Sequence, residues 1–288
     1  MPYAGRAPIW ISPPRHPAAA APSLLLDSLS AAPLGAYSCN DRLATSYTGA
    51  LVRVRRSSDN TEADIGYTAG NVLDRTALLA HVGAGNGFVT KLYDQSGNGR
   101  DLAQTTAARQ PQIVASGTIS VSGGNVVFDN LAANSADGLT RSDALSLSGD
   151  HDVSIFWLGK LSSTSGSHAM ARVGNSNGYT LAHVSPNITT TWGSNPGNNV
   201  WTDGAGTAMQ YLLAAYTASA DGDAVEQNGS AMTHTTYATA ALSMANTEFR
   251  LGYAFCPSRT SAAIVWGSIL GSGDKTALNA WAETRRTA

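Results

Sequence analysis

Tyr93-Asp94-Gln95-Ser96-Gly97-Asn98-Gly99-Arg100-Asp101 follows an apolar run, Phe88, Val89 and Leu92, and so sets a phenol, a carboxylate and an amide at a strand end. Ser96-Gly97-Asn98-Gly99 then demands a turn, because glycine and asparagine tolerate backbone conformations that other residues avoid. Polar groups crowded at such a turn have two uses. Tyr93, Asp94 and Gln95 can contact sugar hydroxyls, or Asp94 can accept backbone N–H bonds and lock the loop. The locking role weighs more, with sugar contact second.

Working outward, the surroundings read as many short strands. Ala50–Arg56 alternates apolar and charged residues, as a strand with one solvated face does. The spacing predicts a helix over Asp74–Val82, with Asp74 as N-cap and Gly83 as stop. Residues 23–31 hold a short helical pattern. From residue 110 on, strands are expected at Gln112–Ala115, Thr118–Val121, Val126–Phe128, Val153–Leu161, His168–Val173, Tyr179–Val184, Tyr211–Thr217, Glu248–Tyr253 and Ala262–Leu270, with turns between them at regular intervals. A last helix is expected over Gly273–Thr284. The fold class is therefore all-β, a jelly-roll β-sandwich with a few short helices.

Composition agrees. Charged residues are 13% of the 288, against about a quarter in an ordinary soluble chain, and Gly alone numbers 29. The net charge of −2, with signs interspersed, gives no nucleic-acid footprint. No apolar stretch is long enough for a membrane span, and no basic segment feeds an apolar run as in a secretory leader. Residues 1–22 carry six prolines and cannot form a helix or an inner strand. They read as an extended arm whose Tyr3, Ile9, Trp10 and Ile11 either dock on another surface or pack on their own domain, ahead of a single sandwich over 23–288. The two cysteines, Cys39 and Cys256, could pair across a sandwich, but two alone establish no disulfide framework and they are read as free thiols.

Three further groups carry chemistry. Asp59, Glu62 and Asp64 offer oxygen ligands to Ca²⁺, although the spacing is not that of an EF-hand and a solvated turn is the plainer account. No other cofactor is expected. The Gly-rich loop from Thr189 to Gly206 holds Trp192, Asn195, Asn198, Asn199, Trp201 and Asp203. Such a set can stack on a sugar face and bond its hydroxyls, or its tryptophans can cap the core. In Asp150-His151-Asp152, strand alternation would split the side chains between two faces. The six histidines are scattered without metal spacing.

Ala36-Tyr37-Ser38, Ser46 to Arg56, Ser58-Asp59, Asp64-Ile65 and Tyr93 to Gly97 occur in an order that resembles the opening of the catalytic domain of fungal-type α-L-arabinofuranosidase B. The resemblance covers about residues 35–105. The remainder, 110–288, is similar to concanavalin A-like, laminin-G-type sandwiches, and the combination looks like virion proteins of tailed bacteriophages. The arabinofuranosidase resemblance implies an adjacent cysteine pair followed by an acidic motif, and this chain has no adjacent cysteines. Its four glutamates, Glu62, Glu226, Glu248 and Glu283, match no catalytic stretch of that family. No catalytic residue is carried over, whereas a retaining glycosidase needs two carboxyl groups about 5 Å apart.

The resulting expectation is a non-enzymatic virion structural protein, a head or tail spike or fibre subunit located in the particle. Its arm would bind other virion proteins, and its sandwich would bind host-surface polysaccharide as a homo-oligomer, with neither nucleic acid nor membrane insertion involved. The alternative is a glycoside hydrolase of arabinofuranosidase type, with Asp94 as the residue to test. A further alternative is a capsid decoration protein without a ligand.

Overall fold

The computed structural model describes residues 24–130, 138–161, 167–174, 178–184, 187–191, 199–202, 208–220, 222–236, 242, 244–245, 247–253 and 258–287. Two antiparallel layers face each other. In pairing order the first contains Glu62–Ile65, Val52–Arg56, Gly87–Leu92, Leu102–Ala103, Leu139–Arg141 and Phe249–Tyr253. It continues through Ser167–Val173, Tyr179–Val184, Asn187–Thr191, Asn199–Thr202 and Thr233–Thr236. The second layer contains Ser230–Ala231, Gly222–Gln227, Gln210–Thr217, Val153–Leu161 and Ser258–Trp266. Gly35–Ser38 and Phe128–Asp129 share the free edge of that last strand. Gln112–Ala115 bonds both Phe128–Asp129 and Gly87–Leu92, so the layers are joined along one side.

The three central strands of the second layer, Gln210–Thr217, Val153–Leu161 and Ser258–Trp266, are buried on both faces, which explains why they read as near-continuous apolar runs, whereas Gly222–Gln227 and Ser230–Ala231 at its edge are polar and mostly half-exposed or exposed. Val153, Ile155, Trp157 and Leu161 point inward with Tyr37, Leu212, Ala214, Tyr216, Ala263 and Val265. Phe156, Leu158, Leu213, Ile264 and Trp266 point the other way, onto Leu278 and Ala282 of the terminal helix and onto Leu25. Both buried indoles are satisfied: Trp157 Nε1 donates to Thr260 Oγ1 at 3.1 Å and Trp266 Nε1 to the Ala31 carbonyl at 3.2 Å. The first layer presents a buried inner face and a charged outer one. Val52 and Val54 are buried while Arg53 forks onto Asp64, so the alternation read from Ala50–Arg56 holds.

Two helices frame the layers, α1 (Arg75–Val82) and α2 (Ser272–Arg286). Asp74 caps α1, accepting the Ala77 N–H at 2.9 Å, and Gly83 ends it. Some expectations need correction. Residues 23–31 give only one 3-10 turn, Leu25–Ser28. Thr118–Val121 divides at Ser120 because Val121–Ser122 folds back on Asn125–Val126 around Gly123 and Gly124. The strand expected at Ala262–Leu270 is Ser258–Trp266, and Gly267-Ser268 breaks it before α2. The arm, with Tyr3, Ile9, Trp10 and Ile11, lies outside the described residues, as does Cys256. Cys39 is a free thiol, fully buried and within 3.3 Å of the Val126 carbonyl.

Asp274, in the first turn of α2, ties the helix to the chain entering the sandwich. Its carboxylate accepts the Ser30 N–H at 2.7 Å, the Ala31 N–H at 3.0 Å and the Ser30 hydroxyl. Burial alone would raise its pKa, but these donors outweigh burial and lower it. Asp274→Ala is expected to cost about 1–3 kcal/mol, the desolvation of donors left unpaired. A lowered folded pKa means that the contribution is complete above the unfolded value of about 3.9 and is lost as pH falls through the folded value. Urea denaturation of wild type and variant at neutral and strongly acidic pH checks this: the difference should shrink with acid.

Candidate functional site

The Tyr93–Asp101 turn is a lock. Gly97 and Gly99 adopt φ of 88° and 66°, the left-handed region the sequence calls for. Asp94, 5% exposed, accepts the N–H groups of Ala36 (3.0 Å), Ser96 (2.9 Å) and Arg100 (2.9 Å) and the Ser96 hydroxyl (2.7 Å). Gln95, 2% exposed, accepts the Leu43 N–H at 2.7 Å and donates to the Asp41 carbonyl at 3.0 Å. Arg100 reaches the Leu145 carbonyl at 2.8 Å, while its own carbonyl accepts from Tyr37 at 2.7 Å. The turn therefore fastens the end of a first-layer strand to Gly35–Ser38 of the second. Asp94 and Gln95 have no face left for a sugar. Tyr93 is half-buried; its phenol donates to Asp64 Oδ1 at 2.6 Å and is pushed up to about 12 by burial and by Asp64.

The carboxylates weighed for Ca²⁺ do not converge. Asp59 pairs with Arg56, Asp64 with Arg53 and Tyr93, and Glu62 accepts from Thr90 Oγ1 at 3.2 Å. Arg56 holds the Asp59 carboxyl well below the usual carboxylate range, and Arg53 lowers that of Asp64, so guanidinium groups stand where a cation would. Among the described residues no three His, Cys, Asp or Glu side chains are grouped to hold a metal.

Of the tryptophan loop, Trp192, Asn195, Asn198 and Asp203 lie outside the described residues, and Asn199 is placed by its backbone in the Asn199–Thr202 strand. Trp201 is 4% exposed and packs in the core between the layers, with its indole N–H on Thr190 Oγ1 at 3.0 Å. Its ring is thus a core cap, and the sugar-stacking role read for it is corrected by burial.

That contact leads to a cluster the sequence reading missed. Thr190, at the root of the tryptophan loop, donates its hydroxyl to Asp223 across the gap between the layers. Asp223 pairs in register with Tyr216, so both side chains enter the same end of the sandwich. The Tyr216 and Tyr179 rings lie 6.0 Å apart. Burial raises the Tyr179 phenol well above its ordinary range, and the Asp223 charge adds to this. Tyr216 donates to Asp150 at 2.8 Å and accepts the Leu242 N–H at 2.9 Å. Asp152 accepts the Ala218 N–H at 2.9 Å. Three carboxylates from two segments, Asp150, Asp152 and Asp223, thus meet the last residues of Gln210–Thr217 and the turn after it. Asp150 is exposed and Asp152 and Asp223 half-exposed, so this end is open to solvent. Residues 150–152 precede the strand, so the face-splitting expected of them does not apply. The partners are 66 residues apart in sequence, too far for any local pattern to show.

A second carboxylate, on the outer face of the first layer, is tied into ion pairs. Glu248 is clamped by Arg172 and by Arg250, whose Nε lies 2.6 Å from Oε2.

Comparison with known proteins follows the sequence resemblance. Residues 26–136 match the family described as alpha-L-arabinofuranosidase B, catalytic. The chain is 42% identical over 72 residues to alpha-L-arabinofuranosidase B of Emericella nidulans, and 39% identical over 72 residues to that of Aspergillus niger. Each alignment covers 25% of this chain and 14% of the relative, so the chain spans about one-seventh of the length of the curated relatives it matches. Among solved structures it is similar to a mutant GH54 α-L-arabinofuranosidase soaked with 4-nitrophenyl α-L-arabinofuranoside, with TM-score 0.66 and 15% identity over 88% of this chain and 62% of that one. It is also similar to an arabinofuranosidase complexed with arabinofuranosyl-alpha-1,2-xylobiose, with TM-score 0.58 and 14% identity over 91% of this chain and 64% of that one. These overturn the expectation of a virion structural subunit placed in a particle and serving host attachment: the matched relatives are fungal arabinofuranosidases. They support the glycoside hydrolase type instead. At such low identity the structural likeness shows the fold alone, and that fold is the arabinofuranosidase β-sandwich.

Proposed function

We infer that this chain is a glycoside hydrolase module of arabinofuranosidase type, acting on glycans that carry α-L-arabinofuranosyl units. The observation that carries the reading is that the sequence likeness and the fold likeness point to the same family. The sequence match ends at residue 136, yet the structural likeness extends over 88–91% of the chain and so takes in the half that holds the carboxylate cluster. The finer architecture is read as a concanavalin A-like jelly roll over residues 23–288. Support for this comes from the two facing antiparallel layers and the long crossing from Phe128–Asp129 to Val153–Leu161.

The chemistry is assigned to the open end. Hydrolysis of a glycosidic bond uses one carboxyl to protonate the leaving oxygen and a second as nucleophile or base. Asp223 and Asp150 take these roles, each held by a side-chain hydroxyl, Thr190 and Tyr216. Asp152, bonded to the Ala218 N–H, positions the turn between them. Release of 4-nitrophenol from 4-nitrophenyl α-L-arabinofuranoside tests the reading. Turnover by the wild type and its loss in Asp223→Asn are expected; binding of the glycoside without turnover by folded wild-type protein would overturn it.

A further inference from the structure

At the opposite end of the sandwich a groove of about 420 Å³ opens where the first turn of α1 meets the last turn of α2. Ligand sites typically have volumes of about 300–1,000 Å³. Its deepest polar group is Asp41, whose side chain is 3% exposed. Asp41 bonds Arg285 at 3.2 Å and Asn40 Nδ2 at 3.1 Å. These bonds leave part of the carboxylate's acceptor capacity unused, since it offers about four positions. Arg75 forms the facing wall and is held in place by the Gly124 carbonyl. Val72 supplies the apolar surface; it is 40% exposed, one of few large apolar side chains so placed among the described residues, while Leu73 beneath it is buried.

The charges lining the groove cancel: Asp41 and Asp74 against Arg75 and Arg285. A phosphate or an amine would meet a like charge beside each opposite one. A neutral polyol meets donors and acceptors side by side, with an apolar patch for its C–H face. We propose that this groove is a second carbohydrate site, taking a neutral furanosyl or pyranosyl unit of the glycan. The ligand class rests on the reading of the chain as an arabinofuranosidase-type module; the site itself rests on the groove.

The test is a titration of ¹⁵N-labelled protein with a neutral arabino-oligosaccharide, in the Asp223→Asn background to keep the sugar whole. Saturable amide shifts are expected at Leu73, Thr76 and Thr284. Thr76→Trp, at an exposed position of the groove wall, should weaken them at least tenfold while 4-nitrophenyl arabinofuranoside turnover is kept in the otherwise wild-type chain. Thr284→Trp serves if the first variant folds poorly. No saturable shift at these amides, shifts that survive both variants, or shifts produced by sulfate and not by the oligosaccharide would each overturn the proposal. Failure of the hydrolase reading shows separately, as absent turnover, and leaves the groove titration legible.

Discussion

Asp94→Ala is expected to lower the unfolding free energy by about 3–5 kcal/mol, because each buried donor left unpaired costs roughly 1–3 kcal/mol and three backbone N–H groups lose their acceptor. Those groups belong to Ala36, Ser96 and Arg100, so the loss is felt in both layers at once. Water reaching the turn recovers part of the penalty, which keeps the figure below the sum. Asp94→Asn keeps one oxygen and should cost about half as much, since hydrogen bonds to a charged acceptor are worth about 1.5–3 kcal/mol and neutral ones less. Urea midpoints at constant slope measure both variants. Whatever fraction stays folded should cleave arabinofuranoside at the wild-type rate. A stably folded Asp94→Asn without turnover would return Asp94 to the chemistry and dismiss the lock.

Asp223→Asn is expected to lower kcat about 10²–10⁴-fold, the usual contribution of a positioned carboxyl acid or base. The amide oxygen can still accept from Thr190, so the sandwich end should keep its shape and KM should change little. Asp150→Asn should behave alike, with Tyr216 retaining an acceptor. Thr190→Val serves as the contrast. It removes the hydroxyl that joins Trp201 to Asp223, and should reduce kcat less than Asp223→Asn because the carboxylate itself remains. Equal turnover in all three variants would place the chemistry elsewhere.

The two halves of the molecule differ in how far they could be read. Asp74–Val82 and Val153–Leu161 were legible because their signals are local: a cap, a stop, an unbroken apolar run. The Tyr93–Asp101 turn was legible in conformation, since Gly97 and Gly99 have few alternatives. Its partners were not, because Ala36 and Leu43 lie more than fifty residues away. Trp201 shows the opposite case. In sequence it sits among glycines and asparagines like an exposed ring, and only pairing with Ile188 turns it inward.

The carboxylate cluster had no local signal at all. Asp223 lies at the start of one strand and Asp150 precedes another, and neither is unusual by itself. They become a site because Val153–Leu161 pairs with Gln210–Thr217 in a register that sets Val153 opposite Tyr216. Sequence by itself determined the class of fold, the turn at Ser96–Gly99 and the likeness to arabinofuranosidases, because turn chemistry, alternation and motif order are properties of neighbouring residues. The tertiary structure decided that Asp94 is a fastener, that Trp201 belongs to the core, and that Asp150 and Asp223 lie at one end of the sandwich, both beside Tyr216. Those roles depend on burial and on partners brought together by strand register, which no stretch of sequence contains.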